Sequence, residues 1–252
     1  MASGVAWKLH RSRMQNIFIL ETSRPMAVRR KVSFSQAVYT GYCSIEGVEA
    51  KATSSIADFP AIWAQGRIPV LADPNWDKLS AAAPDVIIDA ILAKRNLGTS
   101  KSEAPLVVGL GPGFCAGEDV HLVVETKRGH YLGRVIEKGQ AVPNSSIPGN
   151  IGGYTQERLL RSPQKGIFNT TRSIGTKVHC GEAIGTVAGD SILAQIDGVI
   201  RGLLPDGTLV NTHTKLGDID PRGDIQACFT ISEKARAIGG GVLEAILCTY
   251  NR

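Results

Sequence analysis

The sequence predicts an α/β protein: a Rossmann-like, doubly wound parallel sheet, then a small β module of the barrel-sandwich type, and a C-terminal helix. Two observations support this prediction. In the first 110 residues, short apolar runs typical of buried strands alternate with helical patterns, which indicates a parallel sheet with helices on both faces. Beyond residue 163, short apolar pairs broken by glycine replace this alternation and recur as an internal repeat.

The first half opens with a helix predicted over residues 3–14. Val5, Ala6 and Leu9 share one face of this helix, and Ser3 is a suitable N-cap. The same periodicities predict strands at 17–20, 48–52, 68–72, 85–89 and 106–110, and helices at 33–39, 56–65 and 90–96.

The start of the chain is unusual for this fold class. Doubly wound nucleotide-binding folds open with a strand, a glycine loop and then a helix. Here Ala2-Ser3-Gly4 resembles the end of such a loop, with no strand before it. We expect either that this strand is missing from the start or that the sheet lacks its usual first strand.

The second half contains three blocks that match at an offset of 32 residues. They are 166–168 with 198–200, 175–178 with 207–210, and 184–187 with 216–219. Each copy alone is too small to bury an apolar face, so the two are expected to pack together. This pattern resembles the lipoyl and biotinyl domains, but the hairpin near Gly189 has no lysine to modify. The module is therefore expected to be a structural or docking unit.

Residues 229–247 look helical at both ends, and Gly239-Gly240-Gly241 is expected to interrupt them where another element packs closely. The predicted parts of the chain are a Rossmann-like domain, a glycine-rich polar segment, the β module and the helix, at 1–105, 106–161, 162–228 and 229–252.

Composition excludes several classes of protein. No apolar run approaches the roughly 20 residues of a membrane helix, and the first ten residues lack the apolar region of a secretory leader. We therefore predict a cytoplasmic protein. The five cysteines form no CxxC pair, so buried, reduced thiols are expected. The net charge is +5, but the basic residues are scattered apart from a loop at 29–31, expected to be solvated, so neither nucleic acid nor membrane is a predicted partner.

The predicted ligand site is the polar segment at 106–161. Gly109, Gly111 and Gly113 follow a predicted strand directly, where free N–H groups can bind phosphate or carboxylate, although a plain tight turn explains them equally well. Cys115, beside this turn, is a weaker candidate for a reactive thiolate.

Acid–base or metal chemistry is a second possibility for this segment. His121 and Glu125 share one face of a predicted strand at 120–125, with His130 just beyond a turn. The alternative is that His121 and Glu125 bond each other or the backbone. The segment also contains Asp119.

Cations and one carboxylate complete the candidate set. Arg128 and Arg134 could clamp an anion, or could simply be solvated. Asp89 and Lys94 follow a strand at the position where open α/β sheets bind ligands.

Several long stretches together resemble one family. They are RPMAVRRKVSFSQAVY, DVIIDAILAKRNLGT, PLVVGLGPGFCAGEDVHLVVETKRGHYLGRVI, PNSSIPGNIGGYTQERLLRSP, GDIDPRGD and CFTISEKARAIGGGVLEAIL. Across the whole chain they are similar to the protein family of selenium-dependent molybdenum hydroxylase systems, the YqeB type. Members usually begin with a strand and a glycine-rich loop that precede Ala2-Ser3-Gly4, and this sequence departs from them there.

The resemblance implies an accessory protein that matures a molybdenum hydroxylase, with the apo-enzyme as partner and a small anionic cofactor, of molybdopterin or selenium type, as ligand. It implies no catalytic residues. Two other readings stay open: a nucleotide-dependent oxidoreductase or transferase, in which Glu21 would bind ribose hydroxyls, and a metal-binding protein. A homo-oligomer is compatible with all three.

Overall fold

The computed structural model describes residues 1–251 and is mixed α/β, with parallel and antiparallel sheets and a C-terminal helix. The chain forms two compact units that are not consecutive in sequence. The first contains residues 1–25, 34–145 and those from 231 on, and the second contains 26–33 and 146–230. The segment at 26–33 therefore belongs with the β strands of the second half, and the C-terminal helix belongs with the first half.

Five helices lie in the first unit: α1 Ala2–Arg11, α2 Ala37–Thr40, α3 Phe59–Ala64, α4 Leu79–Ala82 and α5 Glu233–Tyr250. Its strands are β1 Ile19–Glu21, β2 Tyr42–Ile45, β3 Val48–Thr53, β4 Ile68–Ala72, β5 Val86–Asp89, β6 Leu106–Leu110, β7 Cys115–Ala116, β8 Leu122–Val124, β9 Val135–Ile136 and β10 Gly139–Gln140.

The strands of this unit form two four-stranded sheets and a two-stranded ribbon. In the order β1-β4-β3-β2, the first three strands are parallel and β2 is antiparallel. In the order β5-β6-β8-β9, the first three are again parallel and β9 is antiparallel. Strands β7 and β10 pair with each other. The strands predicted at 48–52, 68–72, 85–89 and 106–110 are confirmed, whereas β2 and the short helix α4 were missed.

The helix predicted at 90–96 is wrong. After β5 the backbone makes turns in which Leu92 and Lys94 have φ of 60° and 65°, a left-handed conformation that ends a helix at once. The side chain of Asp89 accepts the Ile91 N–H at 3.0 Å, so a local bond replaces the first helical turn.

The C-terminal helix is continuous, and its three glycines do not interrupt it. Ile238 and Val242 of α5 join Val5 and Leu9 of α1 in an apolar cluster that covers β6, including Val108. The expected close packing at the glycines is confirmed: a Cβ on Gly239 would lie 2.9 Å from Lys8 Cβ. Packing between helices thus outweighs the poor helix propensity of glycine.

The second unit consists of two four-stranded antiparallel sheets. Its strands are β11 Leu159–Arg161, β12 Gly166–Asn169, β13 Lys177–Val178, β14 Ala183–Val187, β15 Asp190–Leu193, β16 Gly198–Leu203, β17 Thr208–Val210 and β18 Lys215–Asp220. The sheet orders are β11-β18-β16-β13 and β15-β14-β12-β17.

The repeat at offset 32 is visible in the pairing of these strands. Strands β12, β13 and β14 correspond to β16, β17 and β18, and each repeat gives its middle strand to the sheet of the other. The register repeats as well: Ile167 pairs with Leu209 in one sheet, and Val199 pairs with Lys177 in the other. Because of this strand exchange, each repeat completes its sheet only with a strand of the other, as expected of units that pack together.

No helix within residues 1–251 combines the length and apolar character that a membrane crossing requires.

Candidate functional site

The candidate site lies at one edge of the sheet β5-β6-β8-β9. Because β5, β6 and β8 are parallel, the loops that follow their carboxyl ends emerge at the same edge, which is where open α/β sheets bind ligands. These three loops contain most of the residues predicted from sequence, so the structure brings together segments that start at residues 90, 111 and 125.

Asp89 shapes the first of these loops. Its side chain is buried, and its two oxygens accept from the Ile91 N–H at 3.0 Å and from the Thr99 hydroxyl at 2.7 Å. Both carboxylate oxygens thus hold the loop closed. Lys94 is exposed within the same loop.

The glycine turn packs against protein. A Cβ on Gly109 would lie 2.5 Å from the Phe114 ring, and one on Gly111 would lie 2.3 Å from the Thr126 hydroxyl oxygen. A Cβ on Gly113 would come within 2.6 Å of the Arg95 backbone nitrogen. These close approaches account for all three glycines. The N–H of Gly111 also donates to the Val124 carbonyl at 2.9 Å, so it does not point at a ligand.

Asp119 and Cys115 form a local turn beyond the glycines. The Asp119 carboxylate accepts the Cys115 N–H at 2.9 Å. Burial and the neighbouring carboxylate of Glu118 raise the pKa of the Cys115 thiol. This shift opposes the thiolate form that a reactive cysteine needs.

His121 bonds to the backbone of β6. Its ring Nδ1 accepts the Val107 N–H at 3.0 Å, and the backbone N–H of His121 donates to the Val107 carbonyl at 2.9 Å. The imidazole therefore takes the place of a backbone acceptor where the parallel pairing of β6 and β8 begins. This is the alternative in which His121 bonds to the backbone and not to a metal or a substrate.

Glu125 is the polar centre of the third loop. It is only 2% exposed, and its oxygens accept the N–H groups of Lys127 at 2.7 Å and Val142 at 2.8 Å. Its backbone also exchanges hydrogen bonds with Arg134 and Gly133, each at 2.9 Å. Glu125 thus fixes the path of the segment that contains Arg128.

The residues proposed to hold a metal are not brought together. His121 and Glu125 bond to separate backbone groups, and His130 is exposed beside Tyr131, with ring centroids 4.9 Å apart. Among residues 1–251, no three His, Cys, Asp or Glu side chains are placed to share a metal ion. The exposed Arg134 lies over the Tyr131 ring at 5.5 Å, whereas Arg128 pairs with Glu233.

Three cations converge where α5 begins. Arg128 forms an ion pair with Glu233, and Lys234 follows in the first turn of the helix. Burial, together with the nearby charges of Arg128 and Lys94, lowers the pKa of Lys234, while Glu125 and Glu233 oppose this shift. The N-terminal end of the α5 dipole adds positive potential at the same place.

Lys234 is the site residue that sequence reasoning missed. Ser232 caps α5 by accepting the Ala235 N–H at 3.3 Å. Serine is a preferred N-cap residue, so a serine two residues before a lysine indicates that the lysine lies in the first turn of a helix. That signal is visible in the sequence. The proximity to Lys94 and Arg128, more than 100 residues earlier, is not.

A separate concavity lies at the other parallel edge of the first unit. A cleft of about 570 Å³ opens beside the ends of β3 and β4, with Lys51, Thr53 and Gln65 among its lining residues. Glu21, the predicted ribose ligand, ends β1 and uses its carboxylate to accept the Thr22 N–H at 2.8 Å.

The second unit contains a buried charge network. Arg201 and Arg222 both pair with Asp220, which is 1% exposed, at 3.3 and 2.6 Å. Arg29 donates to the carbonyls of Ala227 and Thr230. Burial and then the charge of Arg201 lower the pKa of Arg29 to about 10. The expectation of a solvated loop at 29–31 is therefore wrong for Arg29, because the segment is anchored by its arginine.

Comparison with known proteins finds a relative that matches nearly the whole chain. The chain is 44% identical over 247 residues to "Uncharacterized protein YqeB" of Escherichia coli (strain K12), and the match covers 98% of this chain but 46% of that protein. The chain thus spans less than half the length of this curated relative. The relative's name is that of the type that the motifs indicated, and it assigns neither selenium nor molybdenum. No family model matches the chain.

Solved structures offer only distant likenesses. A succinylglutamate desuccinylase/aspartoacylase from Rhodobacter sphaeroides is 21% identical, with a TM-score of 0.23 over 25% of this chain and 21% of its own. The ectoine utilization protein EutE (DoeB) from Ruegeria pomeroyi is 16% identical, with a TM-score of 0.24 over 33% of this chain and 27% of its own. Similarity at this level supports no conclusion about activity.

Proposed function

We propose that this chain is an accessory protein that binds a small anionic ligand at the carboxyl edge of β5, β6 and β8. The ligand position is the cation cluster formed by Lys94, Arg128 and Lys234. The observation that carries this proposal is Lys234, whose pKa is lowered by burial first and then by the charge of Arg128, with Lys94 adding to the shift and the carboxylates of Glu125 and Glu233 only partly offsetting it. A bound anion would relieve both penalties, because opposite charge stabilises the protonated form.

The ligand's chemistry follows from the resemblance of the sequence to selenium-dependent molybdenum hydroxylase systems. We propose a molybdopterin-type phosphate or a selenium oxyanion as cargo, delivered to an apo-hydroxylase, with the second unit as the docking part. The parallel edge supports a Rossmann-like assignment for the first unit. The strand exchange between repeats supports a barrel-sandwich assignment for the second.

Calorimetric titration of the full chain with molybdate, selenite and inorganic phosphate tests the site. Lys234→Met and Arg128→Gln should each weaken binding by roughly tenfold or more, the usual size of a lost charge-assisted contact. Arg134→Gln is the matched control, since it removes the same charge from the same loop outside the cluster. Equal loss in all three variants, or no binding to the natural chain, would refute the assignment.

The pH dependence gives a second, independent readout. Lys234 must be protonated to attract an anion, and its pKa is lowered. Affinity should therefore fall as pH rises through that lowered pKa, at a pH below the ordinary lysine range. In Lys234→Met this dependence should disappear.

A nucleotide-dependent enzyme is the second candidate, favoured by the cleft of about 570 Å³ at the ends of β3 and β4. That volume is within the usual range for small-molecule sites. Titration with adenine nucleotides and nicotinamide cofactors, compared between the natural chain and Gln65→Ala, tests it. A response that Gln65→Ala leaves unchanged would argue against binding in this cleft.

A further inference from the structure

Two carboxylates act on the cation cluster, and the structure holds them differently. The charges of Glu125 and Glu233 both favour the protonated form of Lys234, although burial and the nearby cations lower its pKa overall. The Glu125 carboxylate is buried and accepts two backbone N–H groups, which would lose their acceptor if it moved. The Glu233 side chain is 60% exposed and pairs with the Arg128 guanidinium. Glu233 can therefore turn into solvent, whereas Glu125 is fixed.

The ion pair places Glu233 on the same guanidinium that an incoming anion would use. The Arg128 side chain is 34% exposed, so water reaches the pair, and an ion pair of this kind is weak. Glu233 is also the first residue of α5, where the helix dipole favours a negative charge. The carboxylate thus stays near the cluster when it leaves Arg128, and it can return when the ligand departs.

We propose that Glu233 is a built-in competitor for the anion site, which the ligand displaces from Arg128 when it binds. This inference rests on the proposed function, because the ligand occupies the same cation cluster. A singly charged anion would only replace one unit of negative charge by another. A doubly charged oxyanion would add Coulomb attraction to the three cations, so the exchange favours it. The ligand class is therefore a dianion, such as molybdate or a phosphate monoester.

Calorimetric titration of the full chain with molybdate tests the competition. Glu233→Gln keeps the size of the side chain and removes its charge, so molybdate should bind roughly two- to fivefold more tightly, the worth of an exposed ion pair. Glu244→Gln is the matched control, since Glu244 is an exposed glutamate on the same helix. It lies about three turns, or roughly 16 Å, further along α5, where salt screens its charge. Its replacement should leave the affinity unchanged.

The same titration in two further backgrounds separates direct competition from a general effect of charge. In Arg128→Gln the pair is already lost, so adding Glu233→Gln should leave the affinity for molybdate unchanged. In Lys234→Met the pair between Arg128 and Glu233 is retained, so Glu233→Gln should tighten binding as it does in the natural chain. Equal tightening in both backgrounds would show a field effect without competition, and would overturn the inference.

Perrhenate tests the ligand class, because it is a tetrahedral oxyanion like molybdate with one negative charge fewer. It should bind the natural chain roughly tenfold more weakly, and equal affinity for the two ions would overturn the assignment to a dianion. Molybdate binding that Lys234→Met weakens but Glu233→Gln does not strengthen would overturn the competition and leave the cation site in place. Failure of both the natural chain and Glu233→Gln to bind molybdate would instead refute the site, and the competition with it.

Discussion

Replacing Gly241 by alanine should destabilise the protein, whereas the same change at the adjacent Gly240 should stabilise it. A Cβ on Gly241 would lie 2.0 Å from the Gly133 carbonyl oxygen and 2.9 Å from a Val124 methyl group, while a Cβ on Gly240 would meet nothing within 4 Å. The carbonyl cannot move away freely, because the N–H of Gly133 is bonded to the Glu125 carbonyl at 2.9 Å. The two positions thus share a helix and differ only in the space beside them.

The magnitudes follow from that difference. Alanine is favoured over glycine inside a helix by about 1 kcal/mol, so Gly240→Ala should raise the free energy of unfolding by about that amount. Gly241→Ala gains the same propensity but adds an overpacking cost of about 1–3 kcal/mol or more, since backbone must shift. Because the clash is with a backbone oxygen at 2.0 Å, we expect the upper end of this cost, so the two variants should differ by roughly 3 kcal/mol and Gly241→Ala should be destabilised overall.

Urea unfolding followed by tryptophan fluorescence measures this difference directly, with the midpoint compared at constant slope. A parallel change in both variants would refute the reasoning, because propensity alone would then govern the glycine run. Stabilisation by Gly241→Ala would show that α5 does not approach Gly133 as closely as the structure has it.

Three further predictions concern buried polar groups and thiols. Glu125→Ala should lower the free energy of unfolding by about 2–4 kcal/mol, since two backbone N–H groups lose their acceptor, and a thermal shift close to zero would argue against this role. Asp220→Asn should cost about 3–5 kcal/mol at neutral pH by leaving Arg201 buried without its carboxylate. Burial acts to raise the pKa of Asp220, but hydrogen bonds and charge from arginines lower it overall. The stability cost of Asp220→Asn should therefore vanish as pH falls through that lowered pKa. A stability difference between the two proteins that stays the same in acid would contradict this prediction. In the native protein Cys180 and Cys248, both exposed, should react first with Ellman's reagent, and simultaneous reaction of all five thiols would not fit the fold.

The strands and the repeat could be predicted from sequence because both are local patterns. Runs such as 68–72 and 106–110 are apolar without alternation, which is typical of strands buried on both faces. The three matching blocks at offset 32 likewise indicated two equivalent units before any pairing was known. The failures were also local: at 90–96 the sequence has helical composition, yet bonds from Asp89 direct the backbone into turns.

For the candidate site, the sequence indicated loops that the structure brings to one edge of a sheet, but it did not show which groups their side chains bond to. Glycines 109, 111 and 113 and the acids Asp89 and Glu125 attracted attention as ligand groups, and in the structure they pack against or bond to the protein itself. A polar residue after a strand looks the same in sequence whether it binds a ligand or closes a loop. Only the position of its hydrogen-bond partners separates the two.

The sequence by itself determined that the apolar runs at 48–52, 68–72, 85–89 and 106–110 are strands and that the second half is built from two copies of one unit, because both leave a repeated pattern along the chain. The tertiary structure alone decided that α5 brings Lys234 to Lys94 and Arg128, that each repeat lends a strand to the other, and that Arg29 is anchored beside Arg201. These features join residues tens to hundreds of positions apart. Local periodicity contains no information about such distant contacts, since they depend on how the helices and sheets pack.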